Sequence, residues 1–406
     1  EFREEIEWNR KKLDEIVINF IVPMRDKPKD LSGEIPWCRI EDFDGMYLSL
    51  SKTNQGVTDQ TIKEMNLKVY PIGTLLVSCS AYLGRCAITS KRLITNQTFI
   101  GLVPNVNLLD TVFFYYIMIN AEKKLNALSS GTTIAYLSRE KFEKFEVIVP
   151  QIVEQQKIAF CLSSLDDLIT AETQKLELYK EHKKGLMQRV FPVAGELIPK
   201  RRFHKDSTSN PWKKIKLGDY ILLQSGFAFQ SEYFSDHGMK LVTPKNFTKE
   251  GKGNFTFQNS KFTLEEPDSK YRCKAGDLLL LLTDLTPSCE LLGLPLMLEE
   301  RDEEVLLNQR IVKVIVNESL DAGFLKQFFL TDEYHTNIKN SATGSTVRHS
   351  SNSTILAIEL LIPNKIEQQK IASCLASLDD LISMQKEKVE LLKLHKKGLM
   401  QQLFPS

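Results

Sequence analysis

A direct internal repeat constrains this chain more than any other feature of its sequence. Residues 154–192 and 367–405 are identical at 27 of 39 positions, at a constant offset of 213 and without a gap. Such self-similarity indicates two copies of one structural unit. The 406 residues also exceed the length at which a single hydrophobic core stops growing, about 250–300 residues. The sequence therefore predicts at least two domains of related design.

Both copies of the repeat have a heptad pattern of apolar residues. The pattern is interrupted by polar residues at Glu172 and Lys183 in the first copy and at Gln385 and Lys396 in the second. Apolar spacing of 3.5 residues predicts coiled-coil helices. The alternative, in which each helix packs on its own globular half, stays open, and the polar positions either set the helix register or are exposed. The predicted helix–helix interface contains Ile158, Leu162, Leu165, Ile169, Leu176, Tyr179, Leu186, Ile371, Leu375, Leu378, Ile382, Val389, Leu392 and Leu399.

The segments that precede the two helices resemble each other more weakly. Each opens with a tryptophan followed by basic residues, at Trp8 and Trp212, and each ends in a small-residue loop, at 130–133 and 343–346. Short β-branched and apolar runs bounded by Gly, Asn and Pro predict mixed α/β globules rich in strands. The predicted boundaries are a first globule at 1–149, a first helix at 150–192, a linker at 193–211, a second globule at 212–362 and a second helix at 363–406.

Charge and cysteine content exclude several classes of protein. Lys and Arg together number 53 against 52 Asp and Glu, which excludes a strongly basic nucleic-acid coat. Seven cysteines, an odd number without a CxxC pair, argue against a disulfide framework and a structural zinc site. No apolar run reaches the roughly 18 residues of a membrane helix, and the acidic start differs from a secretory signal. The sequence predicts a cytoplasmic protein without membrane contact.

Catalytic motifs give almost no signal. The sequence has no GxxxxGK[ST] phosphate loop, no GxGxxG after a predicted strand, no HExxH and no GxSxG. Asn210-Pro211-Trp212 matches only part of an amino-methyltransferase motif and is interpreted as a turn. We therefore expect no catalytic residues, no metal site and no enzyme activity on this chain.

The opening of each repeated helix carries a family resemblance. Both copies follow the pattern Pro-x-x-x-Glu-Gln-x-x-Ile, as PQIVEQQKI at 150–158 and PNKIEQQKI at 363–371, and each lies about 20 residues after a Gly-Thr-Thr or Gly-Ser-Thr loop. Two variable globules, each followed by such a helix, resemble the specificity subunit of a bacterial or archaeal type I restriction–modification system. The resemblance covers the whole chain, closely in the helices and loosely in the globules.

The resemblance implies a non-catalytic DNA reader. It implies an α+β fold in which two target recognition domains are separated by two long antiparallel coiled-coil helices with pseudo-twofold symmetry. Each domain would read one half of a bipartite double-stranded DNA site. It also implies partners: two copies of a methylation subunit and a restriction/translocase subunit. The cofactors S-adenosylmethionine, ATP and Mg2+ would be bound by those partners, with none on this chain.

The candidate DNA-binding residues are polar or basic residues in predicted loops beside strands that repeat between the two halves. Arg, Lys and Asn can pair with base edges, and Ser and Thr suit phosphate contacts. The candidates are Arg39, Tyr82, Arg85, Thr132 and Thr133 in the first globule, and Lys245, Asn246, Ser345, Thr346 and Arg348 in the second. Two alternatives stay open: a coiled-coil scaffold with two protein-binding modules, and the recognition portion of a larger restriction enzyme that has lost its catalytic part.

Overall fold

A computed structural model describes most of the chain as two compact units. The first unit comprises Glu1–Thr173 together with Lys388–Ser406, and the second comprises Gln174–Glu387. Each unit therefore combines one globule with part of both long helices. The structure describes residues 8–24, 26–80, 82–128, 136–193, 195–203, 211–284, 288–343 and 348–404.

The described part of the first unit's globule is built from short strands and five short helices. The strands are β1 (Asn9–Lys12), β2 (Val17–Ile21), β3 (Ile35–Cys38), β4 (Tyr47–Leu48), β5 (Gly56–Val57), β6 (Leu75–Ser78), β7 (Cys86–Thr89), β8 (Ile94–Thr95), β9 (Phe99–Pro104) and β10 (Glu146–Val149). The helices are α1 (Leu13–Ile16), α2 (Asp59–Glu64), α3 (Thr111–Asn120), α4 (Glu122–Leu128) and α5 (Arg139–Glu143).

A five-stranded sheet forms the centre of this globule. Its strand order is β2-β9-β6-β7-β4, beside a three-stranded sheet β5-β3-β8 and the pair β1-β10. All residues of β6 and β7 are buried, as their continuous apolar composition predicts for strands covered on both faces. Helix α3 packs on this sheet with six consecutive buried residues, from Phe113 to Met118.

The globule of the second unit repeats the design with a larger second sheet. Its strands are β11 (Lys213–Lys216), β12 (Ile221–Ser225), β13 (Phe234–Ser235), β14 (Met239–Val242), β15 (Lys261–Thr263), β16 (Arg272–Cys273), β17 (Leu278–Leu281), β18 (Thr283–Asp284), β19 (Pro295–Met297), β20 (Val305–Leu307), β21 (Ile311–Val316), β22 (Arg348–His349) and β23 (Glu359–Ile362). Its short helices are α7 (Ala322–Phe328), α8 (Asp332–Ser341) and α9 (Asn352–Leu356).

The sheets of the second globule correspond to those of the first. They are a four-stranded sheet β12-β21-β17-β19, a five-stranded sheet β13-β15-β14-β20-β16, and the pairs β11-β23 and β18-β22. In both globules an antiparallel pair lies directly before the long helix, β1 with β10 and β11 with β23. The sequence prediction of two mixed α/β globules is confirmed.

Two long helices complete the fold: α6 (Ile152–Val190) and α10 (Lys365–Leu403), each of 39 residues. At 1.5 Å per residue each is about 58 Å long. In the first unit, Asp166 of α6 contacts Lys396 of α10, and Glu172 contacts Lys388. Residues later in α6 contact residues earlier in α10, so the helix segments within this unit run antiparallel.

The predicted helix–helix residues divide into two groups, although none of them is exposed. Those near the helix ends belong to the cores of the globules: Ile158, Leu162 and Leu399 in the first unit, and Leu186, Ile371, Leu375 and Leu378 in the second. Those in the middle of the helices belong to neither core: Leu165, Ile169, Leu176, Tyr179, Ile382, Val389 and Leu392. The ends of each long helix therefore pack on the globular cores, and the helix–helix role of the mid-helix residues stays a prediction.

Candidate DNA interface and helix junctions

Tyr82 and Arg85 lie in the tight turn that joins β6 to β7. The backbone N–H of Ser78 donates to the carbonyl of Arg85 at 2.9 Å, and that of Arg85 donates to the carbonyl of Tyr82 at 3.3 Å. Gly84 has φ +83°, and a Cβ at this position would lie 3.0 Å from Cγ of Glu122. These contacts fix the described part of the turn, residues 82–85, while the Tyr82 side chain is 70% exposed and Arg85 is also exposed.

A bridge holds this turn beside a second loop. Ser80 pairs antiparallel with Tyr136, whose side chain is 46% exposed. Tyr136 directly follows the loop that contains Thr132 and Thr133, two candidates that lie outside the described residues. The bridge therefore brings the Tyr82–Arg85 turn to the end of that loop.

The second unit contains the equivalent bridge. Thr283 pairs antiparallel with His349, and His349 is offset from Tyr136 by the same 213 residues as the helical repeat. The backbone groups of Thr343 and His349 also form two hydrogen bonds, of 3.1 and 2.9 Å. These two bonds join the residues on either side of the segment that contains Ser345 and Thr346, two candidates that lie outside the described residues.

Arg348 lies at the end of this loop, opposite Asp284 in the β18–β22 pair. Its side chain is partly buried, and within the described part of the chain its Nε has no hydrogen-bond partner. Asp284 is 2% exposed and accepts the Leu291 N–H at 2.6 Å. Arg348 thus has an unused buried donor, whereas an ordinary loop arginine is solvated.

The prediction that Asn246 contacts DNA is contradicted by its surroundings. Asn246 is fully buried, and its Oδ1 accepts from the N–H and Oγ1 of Thr243 at 2.7 and 2.9 Å. Its Nδ2 donates to the carbonyls of Asn254 and Asn259 at 2.9 and 3.1 Å. With both ends of the amide used inside the protein, Asn246 is a structural residue that fixes its loop. Its neighbour Lys245 is exposed.

Arg39 occupies the corresponding turn of the first unit. Asp42 has the structural role of Asn246 there, because its Oδ2 accepts the Arg39 N–H at 2.7 Å and its Oδ1 accepts the Lys52 N–H at 2.7 Å. The Arg39 side chain donates through Nη2 to Oε1 of Gln55 at 2.9 Å. This single neutral contact orients the guanidinium without neutralising its charge.

Lys245 belongs to a group of three exposed cations in the second unit, Lys245, Lys261 and Arg310, here called the basic cluster. Burial lowers the pKa of Lys261 most, and the positive charges of Arg310 and Lys245 lower it further. Its Nζ lies 3.4 Å from the ring centroid of Phe234. Mutual repulsion among these cations would be relieved by an anion such as a DNA phosphate.

Sequence reasoning missed Lys261 and Arg310. Arg310 directly follows Asn308-Gln309, which both globules carry ahead of a strand as Asn-Gln, so a local signal for this position existed. Lys261 had no such signal in the sequence. It lies near the other two cations because β15 pairs with β14 and β14 pairs with β20.

Each repeated helix is fastened to its own globule by the same glutamine. In the first unit Gln155 accepts the Asp110 N–H through Oε1 at 2.9 Å, and its Nε2 donates to the carbonyls of Leu108 and Pro150, both at 2.9 Å. Both Gln155 and its repeat equivalent, Gln368, are 1% exposed.

Gln368 makes the same three bonds in the second unit. It accepts the Asp321 N–H at 2.8 Å and donates to the carbonyls of Ser319 and Pro363 at 3.1 and 3.0 Å. This bonding explains the repeated Glu-Gln motif, because the glutamine joins the start of the helix to the capping residue of α3 or α7.

A second repeated contact joins the two helices within each unit. Asp166 accepts from Lys396 at 2.5 Å and from the Tyr116 hydroxyl at 2.6 Å. Its repeat equivalent Asp379 accepts from Lys183 at 2.6 Å. The predicted polar seam positions Lys183 and Lys396 are therefore paired with aspartates, and neither lysine is an exposed residue.

Asp379 has two further partners from α7. Gln327 donates to its Oδ2 at 2.9 Å, and Lys326 lies 3.5 Å from the same oxygen. The side chains of Lys183, Lys326 and Asp379 are only 11%, 8% and 1% exposed. Burial lowers the pKa of Lys326, Asp379 opposes this effect, and Lys183 and Lys252 lower the pKa further.

The described residues contain no cluster of metal ligands, and burial suppresses the reactivity of several of their thiols. Among them, no group of three or more His, Cys, Asp or Glu side chains could hold a metal ion. Burial raises the pKa of Cys38 and Cys273 to about 12 and that of Cys79 to about 11, so these thiols stay protonated and weakly nucleophilic at neutral pH. No described helix has the length and hydropathy needed to cross a membrane.

Similarity to proteins of known structure supports the fold. The type I restriction–modification S subunit of M. genitalium matches with a TM-score of 0.65 and 17% identity, over 100% of this chain and 98% of that one. A second structure, from work on complex assembly and conformational transition of the type I R-M system, matches with a TM-score of 0.52 and 15% identity over 100% of both chains.

Sequence comparisons identify the family. The MjaVIII specificity subunit of Methanocaldococcus jannaschii is 25% identical over 393 residues, which are 94% of this chain and 90% of the relative. The MjaIX specificity subunit of the same organism is 28% identical over 253 residues, which are 60% and 59% of the two chains. The sequence model of the type I restriction modification DNA specificity domain matches twice, at residues 5–179 and 209–394. The chain therefore belongs to the type I restriction–modification DNA specificity family.

Proposed function

We propose that this chain is the DNA-reading subunit of a type I restriction–modification complex. Residues 1–149 and 212–362 act as the two recognition domains, and each reads one half of a bipartite site in double-stranded DNA. The repeated helices at 150–192 and 363–406 act as the spacer between the two half-sites. The observation that carries this proposal is the duplicated unit, in which nearly identical helices follow globules with different loops.

The contrast between helix and globule is what a two-site reader requires. Gln155 and Gln368 attach the helices to their globules through the same bonds, so the mounting of both globules is constant. The exposed side chains beside the β6–β7 turn and in the basic cluster differ between the units. In sequence-specific DNA-binding proteins, constant contacts fix the position of the protein on the DNA, and a few side chains at base edges distinguish one sequence from another.

The near-neutral charge of the chain is consistent with partner subunits that supply part of the contacts to the DNA phosphates. A net charge of +1 supplies few of the phosphate contacts that give most DNA-binding proteins their affinity. Two methylation subunits would supply additional contacts together with S-adenosylmethionine chemistry on adenine. A restriction subunit would supply ATP- and Mg2+-dependent translocation and cleavage in the cytoplasm. In this proposal the chain itself holds no cofactor and catalyses no reaction.

The proposal is tested by exchanging one globule at a time. The chain is co-expressed with its methylation subunit, and methylated adenines are mapped across the host genome. Replacing residues 1–149 by those of a relative should change one half of a bipartite motif and leave the other half unchanged. The matched replacement of residues 212–362 should change only the opposite half.

Two outcomes would contradict this assignment. A methylated motif without two separable halves would refute reading by two domains. Methylation that does not depend on the chain would instead favour a coiled-coil scaffold carrying two protein-binding modules.

A further inference from the structure

The glutamate of the repeated Glu-Gln motif has a buried guanidinium partner in the second unit. Arg202 donates to Glu367 through Nε and Nη2, both at 2.7 Å, and the N–H of Phe203 donates to the same carboxylate at 3.2 Å. The side chains of Arg202 and Glu367 are 9% and 0% exposed. Such a two-pronged contact is the strongest common pairing of a carboxylate in proteins.

The equivalent carboxylate of the first unit lacks this partner. Glu154 occupies the same repeat position, 213 residues before Glu367, and its side chain is 8% exposed. Lys157, an exposed residue of the same helix, approaches its Oε2 to 3.6 Å. Its Oε1 is buried and has no hydrogen-bond partner in the described part of the chain.

A buried carboxylate whose one ionic contact is longer than a hydrogen bond is unfavourable. Removing an ionised group from water costs several kcal/mol unless a counter-charge and hydrogen bonds replace the lost hydration. One Lys157 contact longer than a hydrogen bond does not replace them. In the second unit the same glutamate, at the same helix position, is compensated by an arginine.

We propose that Glu154 is a receptor for an arginine guanidinium supplied from outside the described residues. Two polypeptide sources have the required chemistry. The first is the chain ahead of Trp8, where residues 1–7 contain one arginine, Arg3. The second is a partner subunit of the complex. The need for a guanidinium is independent of DNA reading, and only the second source rests on the proposed function.

The strand register shows that the first source is within reach. Asn9 pairs with Val149 in the β1–β10 ladder, so the chain ahead of Trp8 starts next to Pro150, four residues before Glu154. The five residues from Arg3 to Trp8 can span about 16 Å when extended. In the second unit, Lys213 pairs with Ile362 and Arg202 precedes that strand, so its arginine is likewise supplied ahead of the first strand of its globule.

Amide hydrogen exchange of the full-length chain at residues 151–160 tests the intrachain source. If Arg3 supplies the guanidinium, Glu154→Gln and Arg3→Ala should each increase exchange there to a similar extent, and the double variant should add nothing further. The matched control is in the second unit: Glu367→Gln and Arg202→Ala should show the same non-additive increase at residues 364–373.

A partner source gives a different pattern. Arg3→Ala would then leave exchange unchanged, and Glu154→Gln would decrease exchange in the free chain, because it removes an uncompensated charge. The same variant would weaken the affinity for the methylation subunit of the system at least about tenfold, whereas Arg3→Ala would not. The proposal is overturned if Glu154→Gln neither couples to Arg3 nor weakens the affinity for the methylation subunit, whatever its effect on exchange. Loss of DNA reading with either pattern intact would overturn the proposed function alone.

Discussion

Asp166 in the first unit and Asp379 in the second are the same residue of the repeat, and each accepts a hydrogen bond from a lysine of the other helix. Their remaining partners come from the globules and differ. Tyr116 donates a neutral hydroxyl to Asp166, whereas Asp379 meets Gln327 and a second cation, Lys326. The helix side of each junction is therefore constant, while the globule side has diverged in charge and burial. Identical helix residues should therefore have unequal energetic roles in the two units.

The largest difference should appear when the aspartates are removed. Asp379→Ala leaves Lys183 and Lys326 without their shared counter-charge in a site where both are at least 89% buried, and it should destabilise the chain by about 3–5 kcal/mol. Asp166→Ala removes the counter-charge of Lys396, whose side chain is already 22% exposed. The free energy of unfolding should therefore fall by only about 1 kcal/mol. Urea unfolding followed by circular dichroism measures both. Equal losses would show that the second cation is unimportant.

The glutamine junctions should behave alike, in contrast to the aspartates. Gln155→Ala and Gln368→Ala each remove three hydrogen bonds to backbone groups, of which the one to Pro150 or Pro363 is buried. Each variant should therefore lose about 2–4 kcal/mol. The same unfolding experiment provides the measurement, with the exposed neighbours Gln156→Ala and Gln369→Ala as matched controls. A difference above about 1 kcal/mol between the two units would break the equivalence of these junctions.

DNA binding should separate a reading side chain from a phosphate contact. In the complex with the methylation subunit, Arg39→Ala should weaken binding by about 1–3 kcal/mol and relax one position of the first half-site. Lys245→Ala in the basic cluster should weaken all sequences alike and reduce the salt slope by about one unit. Binding titrations over a salt series with matched and mismatched sites test both expectations. If Arg39→Ala weakens all sites equally, Arg39 is a phosphate contact.

The smallest expected effect is a pH dependence confined to the second unit. The pKa of Lys326 lies below its ordinary value of 10.5, chiefly through burial. Between the folded-state pKa and 10.5, the unfolded chain therefore binds more protons, and stability rises with pH across that window. Lys326→Met should flatten this rise in the free energy of unfolding relative to the unmodified chain. Lys393→Met, on the exposed face of α10, should leave it unchanged.

The helices were predictable because their signal is local and periodic. The heptad pattern located both helices within a few residues, and the repeated Glu-Gln motif marked where each begins. The pattern did not distinguish packing on a globule from packing along a seam. Ile158 and Leu176 have the same heptad spacing, but only Ile158 lies in the first globular core. That distinction depends on which part of the helix the globule covers, and the heptad pattern carries no information about this.

The candidate interface was less predictable because it depends on contacts between distant parts of the chain. Asn246 is a residue type that can read adenine, but both the oxygen and the nitrogen of its side-chain amide bond to the backbone of its own loop. Lys261 gives no sequence signal, yet sheet pairing places it with Lys245 and Arg310. The small-residue segments at 130–133 and 343–346 end at the Ser80–Tyr136 and Thr283–His349 pairs, which occupy equivalent positions in the two globules.

The way the chain is divided between the units has a consequence for its synthesis. The second unit is one continuous segment, Gln174–Glu387, whereas the first needs Lys388–Ser406, and its core contains Phe404 together with Leu399, Met400 and Leu403. Domains of a nascent chain ordinarily mature from the N-terminus onward. The first unit can complete its core only after residues 388–404 have left the ribosome, and by then the whole second unit has been synthesised.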